Sequence, residues 1–579
     1  MINTHNLLTC LRSLTITAMS TALFTNPTIA EIQHPAELTG FDYGAAISQL
    51  EKEIADELQR GILTGVSVAV IDGQRIVLSA GYGYADKQQQ VPATDDTVYR
   101  VGSISKVFTA LAAMQLVEQD KLDLDVPLQQ ALPGFRIVVP FENASPVTLR
   151  QFMCHRSGLV RESPVGSYFD DSEPSIEESI ASLESCVLVN PPNTKTRYSN
   201  IGATVVGQAV AKTSECSYEQ CLREKLLDPI GMNHSSFRVD DRIRDKLATG
   251  YMRVADGKGG FFECVAPKFE LGTIPAGNLY STVNDMAHFA KMLLAGGTVP
   301  KARIVQSETL AQMSIPQLTE NDTGFGLGFF AGKHGRYRTI QHTGAVYGFS
   351  ASLVVLPKPR IAVVVFTNSD LVAGRVKRIS ETALDLMLAA KIGEPVRDIP
   401  ATIDMEIEQL AAFIGQFESP VHWAELKMKG DQLVANIGGQ PMSVRPIGPL
   451  KFEIDGRIMN RGTLEFKRDE SNKVIGFRAL DQDFTKVPSI PTSIPKKWNN
   501  YLGSYGPEFI PLVISAHHGH LYAMTENEVD YRLTPVTATV FKMPEGLYAD
   551  EYLVFEQDTE SLVHAATLAN MKLERRSQQ

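Results

Sequence analysis

Near its end the chain repeats itself, and that repeat narrows the architecture more than any single motif. "FIGQF" at 413–417 matches "YLGSY" at 501–505, an offset of 88 residues. Leu433 and Leu521 keep that offset, while Pro446/Pro535, Phe452/Phe541 and Phe466/Phe555 keep one of 89. So small a drift over so long a stretch marks two homologous modules. Both read as short alternating runs broken by turn residues, the pattern of antiparallel strands. A module of this size made only of strands must hide its edges, which predicts two small antiparallel β-barrels, at 404–487 and 497–579. Proline-marked joints, "KIGEPVRDIPATI" (391–403) and "KVPSIPTSIPKKW" (486–498), set them off.

The segment before them, 31–395, is mixed. "GVSVAVIDGQRIVLSAGYGYAD" (65–86) alternates and turns at Asp72-Gly73, an early hairpin. Helical periodicity follows at 103–119, 147–154, 200–212 and 283–295. "FGLGFFAG", "YRTIQHTG", "SASLVVLP" and "RIAVVVFTN" then read as strands, followed by an amphipathic run, "GRVKRISETALDLMLAA". Strands at both ends with helices between predict an α+β domain: one antiparallel sheet closed by the two chain ends, with a helical lobe inserted.

The N-terminus is separate from all of this. A single arginine, Arg12, precedes the uncharged run "SLTITAMSTALF" (13–24), and small residues stand at Thr28 and Ala30. This is signal-peptide anatomy over 1–30, with a cut expected after Ala30. It implies an exported protein, periplasmic or secreted from a bacterium, with no membrane span left after removal. A formal net charge of −11 without a basic cluster argues against nucleic acid as a partner. Removal of the signal leaves Cys154, Cys186, Cys216, Cys221 and Cys264, an odd and sparse set that is no disulfide framework. No metal-ligand spacing occurs, and "HHGH" (517–520) reads as a surface hairpin turn.

The chemistry begins with "VGSISKVFTALAAMQLVEQ" (101–119). As a helix it is apolar almost all round, and Lys106 shares its greasiest stripe with Ala110, Ala113, Met114 and Val117. Ser103 lies one turn earlier on the same side. A serine hydroxyl needs an adjacent base to become a nucleophile. A lysine in an apolar site has its charged form disfavoured and can accept a proton. Ser103-x-x-Lys106 therefore reads as a nucleophile with its activator, or as a helix cap with a lysine that snorkels outward. The same S-x-x-K pattern at Ser493–Lys496 contains Pro495 and is read as inert. "TRYSN" places Tyr198 and Asn200 before a helix, as a general base and an amide ligand or as a core aromatic and a cap. "QHTGAVYG" puts His342, Gly344 and Ala345 on a strand, where glycine allows close backbone approach and the following N–H can serve an oxyanion.

In the order S-x-x-K, Y-x-N, H-x-G the chain resembles the serine β-lactamase-like, penicillin-binding family: class C β-lactamases, D-alanyl-D-alanine carboxypeptidases, D-aminopeptidases and related esterases. "LRQFMCHRSGLV" (149–160), "IPAGNLYSTVNDMAHFAKMLLAGG" (274–297) and "FGLGF" (325–329) look like the family too, so the likeness spans about 350 residues. It implies a β-lactamase/transpeptidase-like fold, with Ser103 as acylated nucleophile and Lys106 and Tyr198 as the proton-handling pair. It implies Asn200 as a ligand of the substrate amide and an oxyanion hole from the N–H groups of Ser103 and Ala345, with no metal or cofactor. His342 departs from the class C pattern, which has lysine there. A mostly neutral histidine weakens carboxylate binding. That departure and the two β modules, lipocalin-like in this setting, resemble D-aminopeptidases most. The implied activity is hydrolysis of short peptides or amides containing D-amino acids, peptidoglycan-derived among them. Two alternatives are an esterase or weak β-lactamase on the same residues, and a non-catalytic penicillin-recognising sensor. No G-x-S-x-G elbow of an α/β-hydrolase occurs.

Overall fold

The run "GVSVAVID" carries no polar face, and in the computed structural model it is a strand buried on both sides. The structure describes residues 41–256, 260–397, 400–488 and 493–576. The signal-peptide reading of 1–30 lies outside them. The principal helices are α1 (Gly44–Gln59), α2 (Ser105–Glu118), α3 (Asn200–Ser214), α4 (Val283–Leu294) and α5 (Ala373–Ile392). The strands of the main sheet are β1 (Gly65–Asp72), β2 (Arg75–Asp86), β3 (Val91–Pro92), β4 (Gly324–Phe325), β5 (Phe330–His334), β6 (Tyr337–Val346), β7 (Phe349–Leu356) and β8 (Ile361–Thr367). They form one antiparallel sheet in the order β4-β5-β6-β7-β8-β1-β2-β3. The ends of the segment meet at its centre, where Val66 pairs with Thr367 and Asp72 with Ile361.

The alternation in β1 assigns its faces. Val66, Val68 and Val70 pack under α1 and α5, with Leu50, Ile54, Val376, Ile379 and Leu384. Ala69 and Ile71 face the helical lobe. There α2 is buried from Ser105 to Met114, which is why its sequence is apolar all round, and Phe108 stacks on Phe289 of α4 at 4.4 Å between centroids.

The repeat is real in three dimensions. In the first module, Phe413 contacts Phe466 at 4.4 Å and Phe452 at 4.9 Å. In the second, Tyr501 contacts Phe555 at 4.2 Å and Phe541 at 5.8 Å. Pro446 pairs with Phe452, and Pro535 with Phe541. The first module closes into an eight-stranded barrel over residues 415–487. The second does not close in the same way. It forms a four-stranded sheet (503–532) and a five-stranded sheet (534–574), joined at one edge by the Tyr505–Arg575 bridge. The reason lies at its other edge. The N–H groups of Asp530 and Arg532 donate to Gly438 and Val421 of the first barrel, at 2.9 and 2.8 Å, so the strand is spent on the neighbour. Pro535 also lacks an N–H to continue the ladder.

The first module is fastened to the α+β segment before it. Arg375 and Arg378 of α5 reach Glu57 of α1 and Asp455 of the barrel, at 2.6–3.4 Å. "HHGH" forms the expected turn, but it is not merely surface. His517 stacks on Trp423 at 4.2 Å, and Trp423 donates to Asp530 at 2.7 Å. The cysteine expectation needs one correction: Cys216 and Cys221 are bonded, because the turn after α3 brings their Cα atoms to 5.9 Å. Among the described residues no helix is long and apolar enough to cross a membrane, and no group of side chains could hold a metal ion.

Candidate active site

Ser103 sits at the entrance to α2, after a turn that only glycine makes cheaply. Gly102 has φ +53°, and a Cβ there would lie 2.7 Å from the Ala345 nitrogen. Ser105, not Ser103, ties down the turn: its hydroxyl donates to Gly102 O at 2.6 Å and accepts from Leu279 N at 2.9 Å. Ser103 Oγ is thereby left for Lys106, whose Nζ stands 3.0 Å away, one helical turn on. Nζ also donates to Asn200 Oδ1 at 2.7 Å and to Ala276 O at 2.8 Å. Lys106 is 3% exposed, and burial holds its proton affinity well below the ordinary lysine range. Once the amine is neutral, the Ser103 contact can reverse, with the hydroxyl donating to nitrogen.

Asn200 begins α3 inside the site because Ser199, the true N-cap, accepts from Gly202 N at 2.9 Å. Tyr198 lies just before it. Lys106 Nζ is 4.8 Å from its ring centre, and His155 packs on it at 4.2 Å. Tyr198 does not lose its proton easily here. Burial raises its pKa to about 12, against the lowering by the Ser103 hydrogen bond and Arg161.

On the far wall, β6 brings His342, Gly344 and Ala345 alongside the Gly102 turn. A Cβ on Gly344 would meet Val101 O at 1.9 Å and Ser103 N at 3.1 Å, so glycine is what lets the backbones of 102–103 and 344–345 meet. This close approach gathers the N–H groups of Ser103 and Ala345 around one small space. His342 is held neutral: burial, and then Lys106, push its pKa down to about 4, and Nδ1 lies 2.6 Å from Thr343 O. Its Nε2 is buried without a partner among the described residues.

All seven expected residues thus converge. Sequence reasoning missed the layer behind them. Glu162 is fully buried. It accepts from Asn200 Nδ2, and its Oε2 has no hydrogen-bond partner. Desolvation raises its pKa to about 7. Arg161 lies over the Tyr198 ring at 5.5 Å. The second module joins the wall: Glu526 pairs with Arg161 at 3.2 Å, Glu551 with Arg197 at 3.3 Å, and Phe509 packs on Tyr347 at 5.6 Å. Tyr168 donates to Ala345 O at 2.5 Å. The one signal for this layer was "LVRESP", two charges inside an otherwise apolar loop.

This constellation supports acyl transfer: a hydroxyl beside a desolvated amine, facing two convergent backbone donors. The Beta-lactamase family model matches residues 49–386, more than half of the chain. The chain belongs to the β-lactamase family, whose fold is that of generally serine-dependent hydrolases.

Among its relatives, Protein flp of Staphylococcus aureus (strain N315) is 24% identical over 320 residues, covering 55% of this chain and 62% of flp. Beta-lactamase-like protein 2 of Dictyostelium discoideum is 32% identical over 292 residues, covering 48% of this chain and 51% of that protein. The chain thus spans less than two thirds of the length of either curated relative. Two solved structures share the fold. The octameric penicillin-binding protein homologue from Pyrococcus abyssi has TM-score 0.54 and 24% identity, covering 76% of this chain and all of that one. The D-amino acid amidase from Ochrobactrum anthropi SV3, complexed with D-phenylalanine, has TM-score 0.51 and 24% identity, covering 59% and 99%.

Proposed function

We propose that the chain is an exported serine hydrolase that cleaves amides or short peptides of D-amino acids bearing a free amino group. One observation carries the choice of substrate. The unspent charge in the site is negative: Glu162 keeps an unpartnered oxygen beside Asn200, while His342 is neutral. A substrate ammonium suits that wall, and a β-lactam or C-terminal carboxylate does not. Arg161 offers no alternative anchor, since Glu526 pairs with it at 3.2 Å. The D-configuration is supported by the shared fold with an amidase solved with D-phenylalanine. Peptidoglycan fragments supply such residues. Export is supported by the N-terminal run and by the Cys216–Cys221 bond, a pairing that suits an oxidising compartment.

In this reading neutral Lys106 takes the Ser103 proton as Oγ attacks the carbonyl carbon. The oxyanion is held by the N–H groups of Ser103 and Ala345. The amine leaves with a proton delivered through Tyr198, and water then releases the acyl group by the reverse relay. The test is turnover of D-phenylalanine amide, its L-form and its N-acetyl derivative, with Ser103→Ala alongside. The free D-amide is expected to be cleaved, the N-acetyl form to lose about 100-fold or more in kcat/KM as its ammonium is lost, and the variant to be inactive. Equal turnover of the acetylated amide, or turnover of esters alone, overturns the reading.

A further inference from the structure

Tyr198 is surrounded by groups that can carry charge, yet few of them do. From α2 comes Lys106, whose charged form burial disfavours. From the turn after 149–153 comes His155, held neutral by burial and then by Lys106, with its Nδ1 accepting from Ser199 N at 3.2 Å. From β6 comes His342, neutral with its ring 6.4 Å away. The loop after Val160 supplies Glu162 and Arg161. Arginine does not deprotonate in proteins, so Arg161 is the one permanent cation on this list.

Arg161 does not stand alone. Its Nε lies 3.6 Å from Glu162 and 3.2 Å from Glu526 of the second module. Glu526 also accepts from the Tyr548 hydroxyl at 3.1 Å, and the Arg161 guanidinium lies 5.9 Å from the Tyr548 ring centre. The Arg161 backbone N–H reaches Glu551 at 3.4 Å. Residues 526, 548 and 551 thus grip one arginine from outside while its other side faces Tyr198.

We infer that Arg161 is a positioning residue for the proton relay, and that Glu526 of the second module sets how much of its charge Tyr198 and Lys106 feel. The second module is then a working part of the relay. The inference rests on the proposed role of Ser103, Lys106 and Tyr198, but not on the choice of D-amino amides.

The sign is independent of which group is the base. Arg161 lowers the proton affinity of both Lys106 and Tyr198. Removing its charge must therefore move the alkaline-rising limb of the rate to higher pH. Removing the Glu526 charge, which offsets Arg161, must move the limb to lower pH.

The experiment is the pH dependence of Ser103 acylation by p-nitrophenyl acetate, in the full chain, with Ser103→Ala as background. Arg161→Gln is expected to shift the limb up by about one pH unit. Arg161→Lys is expected to restore most of it, and the near-isosteric Glu526→Gln to shift it down by about half a unit. Shifts of opposite sign support the inference. Shifts of one sign, a loss of rate with an unmoved limb, or Arg161→Lys behaving as Arg161→Gln overturns it. If Arg161→Gln does not fold, Glu526→Gln decides alone, and an unmoved limb overturns the inference. Ester acylation without turnover of D-amides sinks the substrate assignment and leaves this readout intact.

Discussion

The seven residues that sequence motifs point to meet within one site because two of the positions around them have no side chain. Gly344→Ala puts a methyl 1.9 Å from Val101 O, and the backbone there cannot yield without opening the space between Ser103 N and Ala345 N. A drop of about 10²–10³ in kcat with the protein still folded is expected, because one oxyanion donor leaves its position. Steady-state kinetics beside a melting curve checks this. Glu162 gives a second prediction. With its pKa near 7, it is ionised above that value and protonated below, so KM for an amine-bearing substrate should rise as pH falls through about 7. Glu162→Gln should raise KM at pH 8 and flatten that rise. Ser103 and Lys106 were legible because their fixed spacing betrays helical neighbours, and Tyr198 through the Y-x-N motif of the family the chain resembles. Glu162 and Arg161 were not, since a charge beside a loop carries no periodicity to say which way it faces. The proton affinity of Tyr198 was not legible, since it is set by burial of the hydroxyl, which only the fold shows.

At the scale of elements, α2 and α3 cross closely enough to pass Asn200 to Lys106, and small residues permit it. Gly207 on α3 faces Pro275, and a Cβ there would approach the proline ring at 2.4 Å. Gly207→Ala should push α3 and the 274–277 turn apart and cost about 1–3 kcal/mol of stability. It should also lower the rate, because Ala276 O in that turn is a ligand of Lys106. Denaturant unfolding and kinetics on one sample test both. The helices at 200–212 and 283–295 were legible to within a residue or two because each has a capping serine or threonine, Ser199 and Thr282. The paired aromatics of the repeat made both modules legible, but not the open edge of the second. That edge is decided by hydrogen bonds to Val421 and Gly438, and nothing local in 530–535 except Pro535 announces them.

At the scale of the molecule, buried carboxylates collect where the three parts meet. Asp370, beside Arg253 and Arg457, has its pKa raised to about 7 by burial and by Glu528, and burial raises Glu551 to about 7. Each holds its proton more tightly folded than unfolded. Stability is therefore gained as pH falls toward their ordinary range and lost as pH rises through about 7. His155 and His342, held neutral, act oppositely, but only below their ordinary value of 6.5. Between pH 6.5 and 8 these carboxylates lower the melting temperature by a few degrees, a fall that Lys106, held well below its ordinary range, offsets in part. Asp370→Asn should flatten that fall and melt higher than wild type at pH 8, as calorimetry can show. The sheet that supports all this is completed late. β1 and the nucleophile turn are made early, yet β1 waits for β8, its partner across 300 residues of chain: Val66 meets Thr367. The strand bearing Gly344 also comes late in the 31–395 segment. A polypeptide still being synthesised therefore carries Ser103 well before the strands that face it exist. The surroundings of Ser103 are thus assembled by topology, first when the last central strand arrives and then when Glu526 and Glu551 of the second module do.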